Sequence, residues 1–463
     1  MKELLIPLND NSPKYKQIYH SIRSLIENGK LQADTKLPSV RQLADSLQVS
    51  RNTTLVAYEQ LLAEGYIRSE PKKGYFVETF EPIDIPRNLP ISPLTKINTD
   101  SEVQSIMVDF LIGGVDQQAF PLKAWRQCSN EVLKDNITFT YGNRQGDKQL
   151  REEIANYLLQ SRGIQTSADA IVIGSSIQQL LMHLSILLKR EYSSIAFENP
   201  GYHGARTVFQ LQGFHIDPIH VTKRGLDIKQ LEQTDSKLVY ITPSHQFPTG
   251  VTIPVPERYQ LLKWAHEQNG YIIEDDYDSE FRYNEQPIPA LSSLQQDARV
   301  IYISTFSKAL LPSIRLSYMI LPPQLLDDYK QQFAEVEQSA SSIHQRTMAL
   351  FMKRGHWDSH IRKMRATYKR KIQTLITSLK ETFGETIRII GSQSGLYILI
   401  QFHHPASEET LIQRAYKYGV KVYPTSNYFI DGKPHEPMIQ LGFSNLTIDQ
   451  IRLGVQLLKK AWT

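Results

Sequence analysis

Residues 300–318 read V-I-Y-I-S-T-F-S-K-A-L-L-P-S-I-R-L-S-Y, and the fold of most of the chain turns on how this stretch is read. The apolar run Val300–Ile303 predicts a buried strand. It ends in small hydroxyl residues, followed by Lys308, Pro312 and Arg315. A lysine at the mouth of a strand is poorly placed for a surface role. Burial and cationic neighbours would instead lower its pKa and make it a nucleophile toward an aldehyde. Thr305, Ser307 and Arg315 suit an anion beside it, the arginine as a forked partner for phosphate oxygens. An aldehyde and a phosphate together point to pyridoxal 5′-phosphate (PLP). The competing reading is a strand followed by a solvated Ser-Lys turn, and so short a motif does not exclude it.

Outward from this stretch, apolar runs alternate with helical patterns from Val108 onward, as in an α/β fold with a mostly parallel sheet. Strands are predicted at Ala170–Ile173, Ser194–Phe197, Leu238–Ile241, Tyr271–Glu274 and Val300–Ile303. Ligands of open α/β sheets sit at the carboxyl ends of strands, so the residues after each run matter. After the first, G-S-S-I-Q-Q-L-L-M-H-L opens a helix whose first N–H groups suit phosphate, although an ordinary capped amphipathic helix reads the same way. After the second, E-N-P-G-Y-H-G-A-R offers Tyr202 to lie over a flat ring. After the third comes the proline-bracketed loop T-P-S-H-Q-F-P-T-G. After the fourth comes E-D-D-Y-D-S-E-F-R-Y, where an acid would keep a pyridine nitrogen protonated. An acidic loop or a carboxylate metal site are the alternatives. No histidine lies at ligand spacing nearby and a metal would leave Lys308 without a task, so no metal is expected.

The chain of 463 residues is long for one domain, and its 41% apolar and 22% charged content suit a globular protein. A net charge of +4 is too mild to argue for nucleic acid by itself. The one cysteine, Cys128, excludes an intrachain disulfide framework, and it is read as filler in a helix. The N-terminus does not read as a signal peptide and no run spans a bilayer, so a cytoplasmic protein is expected.

The first eighty residues read differently. Pro13–Asn28 has apolar residues at helical spacing, with Gly29 as a stop. Ser39 and Gln42 form a capping box for a second helix. Ser50 caps a third, Arg51 to Glu64, expected to bury Leu55, Tyr58, Leu61 and Leu62. That pair is a helix-turn-helix. Arg51, Asn52, Thr53 and Thr54 are expected to donate to phosphates or base edges from the end that enters the major groove. Tyr66–Val77 reads as two strands around Pro-Lys-Lys-Gly, a basic wing. Four prolines in Glu81–Pro93 mark an extended linker, which continues through the polar Thr95–Ser105.

L-P-S-V-R-Q-L-A, V-S-R-N-T, L-L-A-E-G-Y and K-K-G-Y-F-V resemble the winged helix-turn-helix of the GntR family. The order Gly-Ser-x-x-Gln, Pro-x-Tyr, Pro-Thr-Gly, Asp-x-Tyr, Ser-Lys and Arg resembles the fold-type I, class I/II aminotransferases. Head and body together are similar to the MocR/GabR family of PLP-dependent regulators, from roughly Tyr15 to Leu458. The resemblance implies a small α+β winged helix-turn-helix domain (residues 1–80), a Pro-rich linker (81–107) and a large α/β PLP-dependent transferase, fold-type I, domain (108–463). It implies DNA contacts from Arg41, Arg51 and the wing residue Gly74, and Ser50, Asn52, Thr53 and Lys73 are expected beside them on the DNA-binding face. It makes Lys308 the catalytic lysine that bonds the PLP aldehyde. Asp275 would pair with the pyridine nitrogen, Tyr277 with the ring hydroxyl, and Tyr202 would stack on the ring. Ile177 and Gln178 would offer backbone N–H groups to the phosphate, and Thr305, Ser307 and Arg315 their side chains. Tyr141 would reach the phosphate of a neighbouring subunit, in a homodimer whose DNA-binding heads are swapped.

Three departures from the family pattern stand out. The asparagine of N-P-T-G is Phe247 here, with His245 or Gln246 beside it as substitutes. The arginine that grips a substrate carboxylate falls at Gln440, and the alternative arginine of GabR-like proteins at Asn427. Arg206 is a replacement only if it is not a surface helix arginine. The expected function is a transcription regulator that binds operator DNA and senses a small effector (an amine, an amino acid or PLP). An active aminotransferase carrying a DNA-binding arm is the alternative, and an inert dimerisation scaffold a third.

Overall fold

The computed structural model describes residues 6–9, 12–79, 106–134, 141–283, 288–295, 299–403, 406–430 and 436–463. The linker expected at 81–107 therefore lies almost wholly outside the described residues. The chain divides into two compact units, Met1–Ser101 and Glu102–Thr463.

In the first unit, α1 (Lys14–Glu27) buries Ile18, Tyr19, Ile22 and Ile26 along one face. Helix α2 (Val40–Leu47) begins at the Ser39–Gln42 capping box and ends at Gln48, whose left-handed backbone (φ 51°) makes the turn. Ser50 Oγ accepts the Thr53 N–H at 3.1 Å and starts α3 (Arg51–Ala63). Strands β1 (Ile67–Glu70) and β2 (Gly74–Val77) pair antiparallel as a wing. One expectation needs correcting. The buried stripe of α3 is Thr54, Ala57, Tyr58 and Leu61, whereas Leu55 and Leu62 are half-buried. These two leucines sit seven residues apart on the flank of the packed face. Thr54 is consequently not available to a ligand, while Arg51 and Asn52 are exposed.

In the second unit, β3 (Val108–Asp109) leads to α4 (Leu122–Val132) and α5 (Lys148–Arg162). Strand β4 (Ile171–Gly174), α6 (Ile177–Leu188), β5 (Ser194–Asn199) and α7 (His203–Leu211) follow. Then come β6 (His215–Thr222), β7 (Gly225–Leu226), β8 (Leu238–Ile241), β9 (Tyr271–Asp276), β10 (Val300–Thr305) and β11 (Ser317–Ile320). These form one eight-stranded sheet in the order β4-β11-β10-β9-β8-β5-β6-β7. The run β10-β9-β8-β5-β6 is parallel throughout, and β11 is antiparallel to both of its neighbours. The central strands are buried along their whole length, so helices cover both faces and the sequence reads as continuous apolar runs. A second sheet, β12 (Ile387–Ile390), β13 (Tyr397–Phe402), β15 (Tyr423–Pro424) and β16 (Met438–Gly442), has the order β12-β13-β16-β15 and is antiparallel. Strand β14 (Val420–Lys421) pairs in parallel with β3, tying the start of the unit to its C-terminal part. Cys128 is buried in α4.

Candidate functional site

The carboxyl ends of β4, β5, β8, β9 and β10 open into one cavity of about 110 Å³. Ile177 begins α6 after β4, and Tyr202 follows β5. Thr242 and Phe247 follow β8, Asp275, Tyr277 and Asp278 come from β9 and the loop after it, and Thr305 and Lys308 follow β10. Ile112, Gly113, Leu396 and Tyr397 close it from the other parts of the unit. Gly113 has φ +80°, and a Cβ there would fall on Lys308 Nζ, so backbone at this position passes directly against the amine.

The electrostatics of the cavity are those of charge held away from water. Burial lowers the Lys308 amine from the ordinary lysine range, opposed by Asp278 and then Asp275. Burial raises the Asp275 carboxyl to about 7, opposed by a hydrogen bond from the Tyr240 hydroxyl to Oδ2. Asp275 Oδ1 is buried and has no partner among the described residues. The neighbouring acids are committed elsewhere. Asp276 takes the Arg162 guanidinium at 2.7 Å and the Tyr302 hydroxyl at 2.5 Å. Asp278 takes His245 Nδ1 at 2.9 Å. Only the first acid of D-D-Y-D therefore presents an open oxygen.

At the start of α6, Ser176 Oγ accepts the Gln179 N–H and the Ser176 carbonyl accepts that of Leu180. The N–H groups of Ile177 and Gln178 are thus the first-turn donors that helix geometry leaves open. The Gln178 side chain turns to the Gly204 carbonyl at 3.3 Å. Thr305 Oγ1 donates to the Leu316 carbonyl and accepts from Ser317 Oγ and the Ser307 N–H. Arg315 adopts φ 54°, is exposed and makes no ion pair among the described residues. Tyr141 is 82% exposed and does not line the cavity.

On the first unit, Arg41, Ser50, Arg51, Asn52 and Lys73 are exposed, on α2, at the start of α3 and in the wing turn. Gly74 opens β2 with φ +112°. Ser50 Oγ and Thr53 Oγ1 lie 2.8 Å apart, so both hydroxyls already serve the helix start. Lys73 reaches Glu70 at 2.9 Å.

Residues 106–455 match the family described as Aminotransferase class I and II, and residues 14–77 match Bacterial regulatory proteins, gntR family. The HTH-type transcriptional regulator YdeL of Bacillus subtilis (strain 168) is 40% identical over 452 residues, covering 97% of each chain. The chain is an HTH-type transcription regulator with a gntR-family head and a class I and II aminotransferase body. The rhizopine catabolism regulatory protein MocR of Rhizobium meliloti, itself described as probable, is 29% identical to this regulator over 99% of the chain and 96% of its own length. Among solved structures, LysN, an α-aminoadipate aminotransferase from Thermus thermophilus, has a TM-score of 0.68 at 25% identity. The match covers 76% of the regulator and 91% of LysN.

The departures noted in the sequence have definite places in the regulator. Phe247 packs edge-on against Tyr202, Tyr277, Tyr397 and Tyr428, at ring separations of 5.8, 6.1, 5.8 and 4.7 Å. Gln246 is already engaged, donating to the Pro200 carbonyl after β5 at 2.9 Å and accepting from the Thr249 hydroxyl of its own loop at 2.6 Å. Gln440 is fully buried; its Oε1 accepts from the Tyr428 hydroxyl at 2.7 Å and its Nε2 has no partner among the described residues. Asn427 is exposed, and its carbonyl accepts from Arg206 at 3.1 Å. Arg206 therefore staples the 427–428 backbone to α7. Sequence reasoning did not single out Asp278, Tyr397, Thr242 or Gly113 as site residues. The third acid of D-D-Y-D was a signal for Asp278, and the Gly-Gly step after β3 for Gly113.

Proposed function

We propose that this regulator senses a small metabolite (an amine, an amino acid or PLP itself) through a PLP site in the body cavity, and that the sensing changes its hold on operator DNA. The observation that carries the proposal is the pairing of Lys308 with the unpartnered Asp275 Oδ1 in one buried cavity. A buried carboxylate oxygen without a donor is costly, and a ring N–H would satisfy it. LysN was solved in complex with N-(5′-phosphopyridoxyl)-L-leucine, which supports the same reading by likeness of fold. When bound, PLP supplies an electrophilic aldehyde and an electron-withdrawing ring. Lys308 would meet the aldehyde, its amine shifted toward the neutral form by burial. Asp275 would hold the ring nitrogen and Tyr202 would cover a ring face. Ile177 and Gln178 would offer N–H groups to the phosphate, with Thr305, Ser307 and Arg315 on its other side. Tyr277 would donate to the ring hydroxyl.

The exposed Tyr141 supports a body dimer in which it completes the partner subunit's phosphate site. Exchange of heads between subunits belongs to the same proposal. So does work in the cytoplasm; among the described residues no helix is long and apolar enough to cross a membrane. In the head, Arg41, Ser50, Arg51, Asn52, Thr53, Lys73 and Gly74 would form the DNA face, with Ser50 and Thr53 acting through the helix start they build.

Gln440 and Asn427 leave the effector's carboxylate without the arginine that the family pattern provides, which favours a sensor over a working aminotransferase. The intact Lys308–Asp275–Tyr277 set favours the enzyme. The test is steady-state transamination with a broad panel of amino donors, run beside operator binding with and without PLP. Slow or undetectable turnover together with PLP-dependent DNA binding is the expected result. Robust turnover with an α-amino acid would establish the enzyme reading, and DNA binding indifferent to PLP and to every amine would establish the inert scaffold.

A further inference from the structure

The β8–β9 side of the cavity holds a pair of buried ionisable groups that the reading above does not use. His245 and Asp278 are 3% and 2% exposed, and His245 Nδ1 lies 2.9 Å from both carboxylate oxygens. The imidazole is clamped by two glycines of positive φ. A Cβ at Gly395 would fall on Cε1, and one at Gly250 would approach Nε2 to 3.2 Å. Nε2 itself is buried without a partner among the described residues. A histidine kept there with one nitrogen unsatisfied is a poor packing choice, since a phenyl ring would fill the same slot without that cost.

What the pair faces is the Tyr277 hydroxyl. That oxygen lies 2.9 Å from His245 Nδ1 and 3.1 Å from the Tyr397 hydroxyl, and it donates to the His245 carbonyl at 3.2 Å. Tyr277 has one proton to give. With Asp278 bidentate on Nδ1, that nitrogen carries a hydrogen and is a donor. That hydrogen is shared between Asp278 and the Tyr277 oxygen, and the tyrosine's own proton is left to the 3.2 Å contact with the His245 carbonyl or, in its place, to a ligand in the cavity. Without Asp278, Nδ1 becomes an acceptor and draws the tyrosine proton away from the cavity. Neither neighbour in the loop can take this role. Phe247 has no polar group, and the Gln246 amide is spent on Pro200 and Thr249.

We propose that His245 and Asp278 are positioning residues that fix the direction of the Tyr277 hydroxyl proton, so that Tyr277 donates to an anionic ring oxygen of the ligand. This rests on the reading of the cavity as a PLP site. The other titratable groups that face Tyr277 are Asp275 and Tyr397, with Lys308 across the cavity.

The test uses the full-length chain loaded with PLP and reads the pH at which the visible absorbance of the cofactor–lysine chromophore changes. A hydroxyl donating to the ring oxygen disperses its charge and weakens its hold on the neighbouring proton. Tyr277→Phe should therefore raise the midpoint, by about one pH unit, or about tenfold in the proton equilibrium. His245→Phe should raise it in the same direction. The double variant should match Tyr277→Phe alone, because both act through one proton, and this non-additivity is what a purely structural role would not produce. If His245→Phe does not reach the wild-type circular dichroism, the cycle is run with Asp278→Asn. Its carboxamide keeps the volume but donates to Nδ1 and reverses the tautomer. The quantity read is then the difference between its effect with and without the Tyr277 hydroxyl, and a difference of about one pH unit is expected. Additive shifts, or no shift from either substitution, would overturn the proposal while leaving the PLP site in place. A wild-type protein that does not turn yellow with PLP, or gives no borohydride adduct on Lys308, would overturn both.

Discussion

The head would draw its proposed DNA face from a short span of chain, whereas the body assembles its cavity from distant ones. Arg41, Ser50, Arg51, Asn52, Lys73 and Gly74 are each placed by the turn to which they belong. Ile112, Ile177, Tyr202, Asp275, Lys308 and Tyr397 meet only because strands far apart in sequence pair in register. The polar groups of the head remain in water. Those of the body are buried, and their charged forms are disfavoured: besides Asp275, burial raises Glu198 to about 8 and Glu280 to about 7. Substitutions of the exposed cations in the head should therefore change binding with little change in stability. Those in the cavity should move binding and stability in opposite directions.

The largest effect should come at Lys308. Borohydride reduction of the PLP-loaded protein should fix the cofactor on a peptide containing Lys308, and Lys308→Ala should abolish the covalent adduct. The ring and phosphate contacts remain in that variant, so reversible PLP binding should persist, weakened. Recovery of the adduct on another lysine, read by mass spectrometry, would remove Lys308 from the centre of the comparison.

Asp275 sharpens the contrast through pH. Its folded carboxyl is raised from 3.8 to about 7, so the native state holds this proton more tightly than the unfolded chain. Stability without cofactor should then fall as pH rises through that window and level off above it, with Glu198 and Glu280 acting in the same direction. Asp275→Asn should recover stability at pH 8, by ~4 kcal/mol at most at ~1.4 kcal/mol per pKa unit, while weakening PLP. Thermal melts at pH 5 and pH 8, with and without PLP, check it. PLP should protect the wild type more at pH 8, where the open carboxylate most needs a partner. A flat pH profile would show that water already satisfies Asp275.

In the head, Arg51→Ala should leave the melting temperature unchanged and cost ~1–3 kcal/mol of sequence preference if the guanidinium reads a base edge. Lys73→Ala should weaken binding to all sequences and flatten the salt dependence by about one phosphate contact. The Glu70 ion pair is exposed and should mute that change only slightly. Fluorescence titrations against operator and random DNA at several salt concentrations separate the two. Equal losses on both DNAs for Arg51→Ala would make it a phosphate anchor.

The same contrast governs what could be read from the sequence. The helix starts at Ser39 and Ser50 and the wing were legible because capping and hairpin signals are local. Of the strands, β8 runs Leu238–Ile241 as expected, but β5, β9 and β10 extend past their apolar runs into Glu198–Asn199, Asp275–Asp276 and Ser304–Thr305. Hydropathy stops at the first polar residue, whereas the ladder continues when Thr242, Tyr240, Arg162 and Tyr302 satisfy the buried acids. Strand β4 begins one residue later than expected because Ala170 closes a 3-10 turn. Strand β6, H-I-D-P-I-H-V-T, pairs on one side with only the two-residue β7 and carries too many polar residues to be found by pattern. Tyr397 joins the cavity from β13 and has no local signal at all.

The smallest expected effect concerns Ser50, which is expected among the DNA contacts and which the structure occupies otherwise. Its Oγ accepts the Thr53 N–H at 3.1 Å and lies 2.8 Å from Thr53 Oγ1. One of the four open donors of the α3 start is satisfied in this way. Ser50→Ala should lower head stability by ~1 kcal/mol, the usual cost of an N-cap serine. It should loosen the first turn that carries Arg51 and Asn52, so operator and random DNA should lose affinity together. Ser50→Asp restores the cap and favours the helix dipole, but places a negative charge beside the phosphates. It should recover the melting temperature and bind DNA more weakly still. If Ser50→Ala leaves stability unchanged and costs only operator affinity, Ser50 touches the DNA directly, and the division between a head built by local turns and a body built by distant pairing no longer holds at this residue.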